Sequence, residues 1–412
     1  MATLQPFQAF RYTDKAGDPQ KLVTQPYDKI SPSMQAKYLA QSPYNLVRVI
    51  LGERFPSDSD SDNVYTRGAK YFQDWIRDGI LAQDAAPGFY AYFQEFDAPD
   101  SGERAVRKGF IGLGKVEDYS AGIVYRHEQT LSGPKKDRRQ VLDHTRAHFG
   151  QLFMLYPDQE GTVDGVLDES AQGAPLLDVA DEYGARHRLW AITDPPTIAK
   201  IKDTMAPKKL LIADGHHRYE TALGYRDDHP EDPAAQYVMM TFVNMYSPGL
   251  KILATHRVLR NVEGFGATLL GKAAMGGWKG SMHGSLDEVK RQLSKPQAGM
   301  VRIGVVTKDH NLLFERARHE GEMDVTVLHQ EILGGMLGIG EEAVRDEKYI
   351  QYVRGMDAAA AEVREKGAQV AFLLEPTPIE DMARIAFGGG VMPQKSTDFY
   401  PKLLTGVAIY KL

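Results

Sequence analysis

The segment Leu210-Leu211-Ile212-Ala213-Asp214-Gly215-His216-His217-Arg218-Tyr219-Glu220-Thr221-Ala222 constrains this chain more than any other. An apolar run stops at Asp214-Gly215, and three basic residues follow. Tyr219, Ala222, Leu223 and Tyr225 then recur at helix-like spacing. The pattern predicts a buried strand, a tight turn and a helix start. A helix start presents N–H groups and the positive end of the macrodipole, so it attracts anions. His216, His217 and Arg218 at that point predict a cradle for phosphate or carboxylate. Gly215 has no Cβ and lets the backbone come close to a ligand. The plainer alternative is that Asp214 caps the helix and the basic residues form surface pairs.

At 412 residues the chain exceeds the size at which single cores stop growing, so at least two lobes are expected. A hydrophobic fraction of 42% and a charged fraction of 25% are globular values. The net charge of -6 argues against nucleic acid or an acidic membrane as partner, while permitting a local basic pocket. There is no apolar run of about 18 residues, so no membrane span is expected. The first residues, Met-Ala-Thr-Leu-Gln-Pro-Phe, lack a basic and then apolar leader. With no cysteine present, disulfides, thiolate metal sites and a cysteine nucleophile are excluded. A cytoplasmic location fits these features.

Prolines bracket the loop Thr24-Gln25-Pro26-Tyr27-Asp28-Lys29-Ile30-Ser31-Pro32 and stiffen it. Tyr65, Ala69, Phe72 and Ile76 share a helical face, with Asp62 as the expected cap and Gly79 at the end. Strands are predicted over 89–96 and 106–116, a hairpin over 176–192, a strand over 237–244 and a hairpin about His310-Asn311. Helices are predicted over 137–148, 325–337 and 357–366. Composition shifts near 261, which divides the chain into a portion over 1–260 and another over 261–412. Strands and helices mix with frequent hairpins, which predicts an α+β fold with mixed sheets rather than a doubly wound one.

Two further segments carry chemistry. Arg126-His127-Glu128-Gln129-Thr130 precedes Gly133-Pro134-Lys135-Lys136-Asp137-Arg138-Arg139 and reads as a second anion-binding or catalytic loop. Gly388-Gly389-Gly390 leads to Lys395-Ser396-Thr397, a lysine and two hydroxyls beside flexible backbone. The spacing is not that of a Walker A loop, and phosphate contact is weighed against a simple C-terminal turn. His144 and His148 stand four apart, as two ligands on one helix face would, but the zincin glutamate is replaced by Thr145. Gly109, Gly112 and Gly114 do not match a dinucleotide fingerprint and are expected to serve strand packing.

Taken together, residues 25–31, 127–130 with 136–138, 214–222 and 392–402 resemble the bacterial and archaeal family DUF 1015, whose activity is unassigned. Gly215-His216-His217-Arg218-Tyr219 is also similar to the phosphate-binding turn of the ParB and sulfiredoxin-like group, Gly-x-[His/Arg]-Arg-[Tyr/Trp]. Sulfiredoxins place a reactive cysteine where His216 stands, so this chain cannot reduce a sulfinic acid. Kinases that phosphorylate free serine, relatives in that group, carry a similar Asp-Gly-His-His-Arg turn. The resemblance implies a ParB/sulfiredoxin-like nucleotide-binding core with an additional lobe.

The expected function is transfer of phosphate from ATP or ADP to a small hydroxyl metabolite, free serine among the candidates. Asp214, Gly215, His216, His217 and Arg218 are expected to hold the nucleotide, completed by Lys136, Arg138, Lys395, Ser396 and Thr397 in the same cleft. Glu128, His127 and Asp28 are the candidates for the base, with Glu128 favoured. Magnesium would bridge the phosphates with few protein ligands, Asp214 among them. Two rival readings are a nucleotide-responsive binding protein without turnover and a metal-dependent hydrolase using Asp214, His216, His217 and His127.

Overall fold

The computed structural model describes residues 1–99, 101–128, 133–263, 265, 272–273, 275–295, 297, 299–345 and 347–412. It is a mixed α+β chain with several sheets, divided into two compact units. Met1–Arg126, Thr130–Lys251 and Phe399–Leu412 form one, and His127–Gln129 with Ile252–Asp398 form the other. The break at 251/252 precedes the composition shift near 261. The last residues return to the first unit because their backbone pairs there. Tyr410 and Lys411 lie antiparallel to His148 and Ala147, and Ile409 and Thr405 bridge to Phe10 and Thr24.

The first unit is built on a nine-stranded sheet. Its order is Val124–Tyr125, Leu210–Asp214, Leu152–Tyr156, Tyr237–Asn244, Arg104–Lys115, Phe89–Asp97, Arg186–Ile192 and Leu177–Ala180, with Leu4–Gln5 also on Arg104–Lys115. Leu210–Asp214 runs parallel to Val124–Tyr125, and Leu152–Tyr156 parallel to Tyr237–Asn244; the other pairs are antiparallel. Phe89, Phe110, Met154, Ile212 and Phe242 are buried in one core, against the helices Thr162–Ser170 and Pro195–Met205. The glycines of Arg104–Lys115 serve this packing, as expected. A Cβ on Gly112 would stand 2.6 Å from the Phe89 ring, and one on Gly109 2.7 Å from the Phe242 carbonyl oxygen.

Val64–Arg77 forms the predicted amphipathic helix, burying Ala69, Phe72 and Trp75. Its cap is Asn63, whose Oδ1 accepts from the Tyr65 and Thr66 N–H groups, and not Asp62, which pairs with Arg67 at 3.0 Å. The helix expected over 137–148 instead spans Gly133–Thr145. Arg146 adopts a left-handed φ of 47°, and Ala147–His148 is already a strand. His144 and His148 therefore share no helix face, and the described residues contain no cluster of three or more metal-ligating side chains.

The second unit carries a six-stranded, wholly antiparallel sheet. Its order is Lys279–His283, Asn311–Ala317, Met300–Val306, Val370–Leu373, Thr255–Leu259 and Ile350–Arg354. Helices Leu286–Leu293 and Met356–Arg364 cover it through Val289, Leu293, Ala359 and Val363. The segment expected as one α-helix over 325–337 begins as α over Asp324–Val327 and continues as a π-helix over Leu328–Met336. No helix among the described residues is long and apolar enough to cross a membrane.

Candidate functional site

In the first unit, the strand Leu210–Asp214 buries Leu210, Leu211 and Ile212 and ends in a bulge. Ile212 faces Met154 and Asp214 faces Phe153, so Ala213 is an extra residue in the ladder. A bulge at a strand end re-aims the next side chain. Asp214 is accordingly 28% exposed although it follows four buried residues. Gly215 then turns the chain at φ 99° and stands at the N-cap of the helix His216–Asp228. A Cβ there would come 2.9 Å from Leu152 Cδ2 and 3.0 Å from the Arg218 guanidinium, so the glycine is required by the protein's own packing as well as by its backbone angle.

Asp214 sits among cations. Lys402 Nζ is 3.4 Å from its Oδ2. Burial alone would raise the carboxyl pKa, but Lys402, Arg218, Lys29 and His216 together hold it well below the usual carboxylate range. Three cationic side chains therefore act on this one carboxylate, at a helix start whose own N–H groups also favour an anion. The Arg218 guanidinium donates to the Gln151 carbonyl at 2.6 Å, which fixes its direction. Arg218 and Arg138 line one pocket with Tyr27, His148, Thr221 and Thr405. Arg138 stacks 3.9 Å over the Tyr27 ring while bonding Asp137 and the Ile50 carbonyl. The Tyr27–Lys29 turn thus brings Lys29 to Asp214, and leaves Asp28 exposed beside it.

In the second unit, His127 and Glu128 meet the Lys395–Thr397 turn. Glu128 Oε1 accepts from the Ser396 N–H at 3.0 Å and from the Thr397 N–H at 3.4 Å. His127 Nε2 lies 2.8 Å from Thr397 Oγ1, and the His127 carbonyl accepts from the Met392 N–H at 2.7 Å. The fully buried Arg257 donates to the Lys395 carbonyl at 3.1 Å. Ser396 donates its hydroxyl to the Pro393 carbonyl at 2.5 Å, and Lys395 is exposed at a left-handed φ of 58°.

The expected site residues therefore fall into two groups. Arg138, Asp214, Gly215, His216 and Arg218 belong to the first unit's cluster, with His217 on the first turn of the same helix, while Asp28 is exposed in the Tyr27–Lys29 turn and lines no part of the pocket. His127, Glu128, Lys395, Ser396 and Thr397 belong to the second unit. Lys136 is exposed and lines no part of the pocket; its neighbour Lys135 pairs with Glu220. Gln129 and Thr130, part of the loop singled out in the sequence, lie outside the described residues.

Lys29, Lys402, Tyr27, His148 and Thr405 were not expected at the site. Tyr27, Lys29 and Lys402 lie inside segments whose proline and basic content was conspicuous. His148 is marked in the sequence only by its four-residue spacing from His144, and nothing local marks Thr405. His148 is pushed down to about 4 by burial and then by Arg218, so it stays neutral in the fold well below the pH at which a free imidazole charges. The unfolded chain then binds the extra proton, and stability falls as pH drops from about 6.5 towards about 4. His148→Gln should flatten that decline, seen as a smaller difference between urea unfolding free energies near pH 7 and near pH 5; an unchanged difference would show that His148 does not cause it.

Among solved structures, the chain is similar to a conserved hypothetical protein from Pyrococcus furiosus, at 11% identity over 70% of this chain and 91% of that one, with a TM-score of 0.38. A free serine kinase in complex with AMP gives 11% identity over 69% and 88%, with a TM-score of 0.37. SbnI with a C-terminal truncation, from Staphylococcus aureus, gives 11% over 72% and 87%, with a TM-score of 0.37. No curated protein matches. A family model described as a protein of unknown function, DUF1015, matches residues 4–329, and the chain belongs to that family.

Proposed function

We propose that the first unit binds the phosphates of ATP or ADP at the Asp214–Arg218 turn, and that the protein transfers a phosphoryl group to a small hydroxyl metabolite, free serine being the first to test. The observation that carries this reading is the gathering of Lys29, Arg218 and Lys402 at Asp214, at the start of a helix whose first N–H groups favour an anion. Phosphoryl transfer asks a protein mainly for positioning and charge neutralisation, which such a cluster supplies. The strand–turn–helix also supports a ParB/sulfiredoxin-like reading of the core.

In this scheme the helix start and Arg218 hold phosphate oxygens, while Lys29 and Lys402 offset charge on the group in transit. The acceptor hydroxyl loses its proton to a carboxylate as its oxygen attacks phosphorus, and the bond to the departing nucleotide oxygen breaks. Asp28, exposed in the Tyr27–Lys29 turn and adjoining Lys29 in the chain, is the base we favour over Glu128, whose Oε1 already accepts from the Ser396 N–H. Asp214, ionised and partly exposed, fits as the single carboxylate that a phosphate-bound magnesium ion uses. When bound, that ion would supply further neutralisation of phosphate charge.

Incubation with labelled ATP or ADP and a pool of hydroxyl metabolites tests the reading. A labelled phosphometabolite is the expected product. Asp28→Asn should lower the transfer rate by at least about 100-fold with nucleotide affinity nearly unchanged, because a base acts chiefly in the transition state. Full turnover in Asp28→Asn, with turnover lost in Glu128→Gln, would return the role to Glu128. Binding without transfer to any metabolite would leave a nucleotide-responsive binding protein.

A further inference from the structure

Behind the Asp214 cluster lies a row of buried polar side chains that the proposed chemistry does not use. Arg107, Gln94 and His187 stand directly opposite one another on three adjacent strands of the first unit. Gln94 and Arg107 are each 1% exposed and His187 is fully buried. An arginine can only donate, so its bonds fix the rest of the row. The Arg107 Nε donates to Gln94 Oε1 at 2.9 Å, which turns the Gln94 amide so that its Nε2 donates to the Lys402 carbonyl at 2.8 Å. Arg107 also donates to the carbonyls of Tyr400, at 3.2 Å, and Pro401. Tyr92, two residues before Gln94 and on the same face, accepts from the Leu404 N–H at 3.2 Å. Among the described residues, every side-chain hydrogen bond from this row to backbone falls on residues 400–404, the segment that carries Lys402.

The row continues to the other lysine-bearing loop. His187 Nε2 lies 3.4 Å from Asp181 Oδ2, which assigns the ring proton to Nε2 and leaves Nδ1 to accept from the Tyr92 hydroxyl at 2.7 Å. Gln25 Nε2 donates to Asp181 Oδ2 at 3.3 Å and to Glu182 Oε2 at 3.2 Å. Gln25 immediately precedes Pro26 and the turn Tyr27–Lys29. Lys402 and Lys29 are thus anchored to one network, and both hold the Asp214 carboxyl down.

Arg107 makes the network costly as a purely structural device. Among the described residues no carboxylate pairs with it, and burial pushes its guanidinium down to about 9, still charged near neutral pH. It lies 4.6 Å over the ring of Phe153, the residue that faces Asp214 across the strand pair, and its charge reaches Asp214.

We propose that Arg107, Gln94, Tyr92 and His187 are positioning residues that set Lys402, and through Asp181 and Gln25 the Tyr27–Lys29 turn, against Asp214. This rests on the reading of the Asp214 cluster as a phosphate cradle, but its test has an arm that needs no nucleotide. The backbone amides of residues 402–404 and 27–29 are followed by NMR hydrogen exchange in the full chain at one pH, and ADP binding is measured by calorimetry. Gln94→Leu and the milder Tyr92→Phe should speed exchange at these amides by about tenfold or more over wild type and weaken ADP binding by about tenfold, the scale of a lost supporting contact. Val166→Ala, a core truncation on the helix Thr162–Ser170, should lower stability without singling out these amides. If the amides exchange as in wild type in both network variants, or respond equally in Val166→Ala, the positioning role is overturned. If the amides respond as expected but wild type binds no ADP, the network positions Lys402 and the phosphate reading is what fails. If Gln94→Leu does not fold, Tyr92→Phe decides alone.

Discussion

Arg218→Ala should weaken ADP or ATP binding by more than about tenfold, the largest loss expected from any single truncation at the site. Removing a hydrogen-bonding partner from an ion costs roughly 1.5–3 kcal/mol, or about 10- to 150-fold in affinity. Arg218 is already aimed by its 2.6 Å bond to the Gln151 carbonyl, so little entropy is spent in orienting it on binding. Arg218→Lys should recover only part of the loss, since an ammonium lacks the planar fork. Calorimetry at fixed ionic strength measures the effect, with circular dichroism to confirm the fold. Unchanged affinity in a folded Arg218→Ala protein would remove Arg218 from the cradle.

Gly215→Ala should destabilise the first unit and damage the site together. Two separate costs add. A non-glycine residue at φ 99° carries about 1–3 kcal/mol of backbone strain. Its Cβ would meet Leu152 Cδ2 at 2.9 Å and the Arg218 guanidinium carbon at 3.2 Å, an overpacking worth about 1–3 kcal/mol. A total loss of about 2–6 kcal/mol is expected in urea unfolding. The neighbour that can yield is Arg218, a long side chain, so ligand affinity should fall even where the protein folds. A Gly215→Ala protein as stable as wild type would mean that the turn relaxes without strain.

Much of the first unit was legible locally. The strand Leu210–Asp214 and the helix His216–Asp228 follow from an apolar run, a glycine and a return to helical spacing. Phe89–Asp97, Arg104–Lys115 and the hairpin of Leu177–Ala180 with Arg186–Ile192 follow from alternation and turn residues. Boundaries were less secure, because competing caps differ by one side-chain hydrogen bond. Asn63 can close a reciprocal box with Thr66, which Asp62 cannot. The end of the helix Gly133–Thr145 is set by a strand pairing with Tyr410 and Lys411, and no property of residues 146–148 announces it.

Local pattern was enough for most elements of the first unit and for marking a basic helix start, because secondary structure and helix-end electrostatics depend on neighbours a few residues apart. It could also bring basic and acidic groups to notice one segment at a time. Which of them meet depends on the packing of the whole chain. Lys402 reaches Asp214 across 188 positions of sequence, and Gln94 reaches the Lys402 carbonyl across 308. Such pairs are selected by sheet order and by the return of the C-terminal strand, which are consequences of core packing and not of local pattern. Glu128 and Asp28 look alike as isolated carboxylates. The fold binds the first to the Ser396 N–H in one unit and leaves the second exposed in the Tyr27–Lys29 turn of the other, because burial and hydrogen bonding are properties of the packed chain.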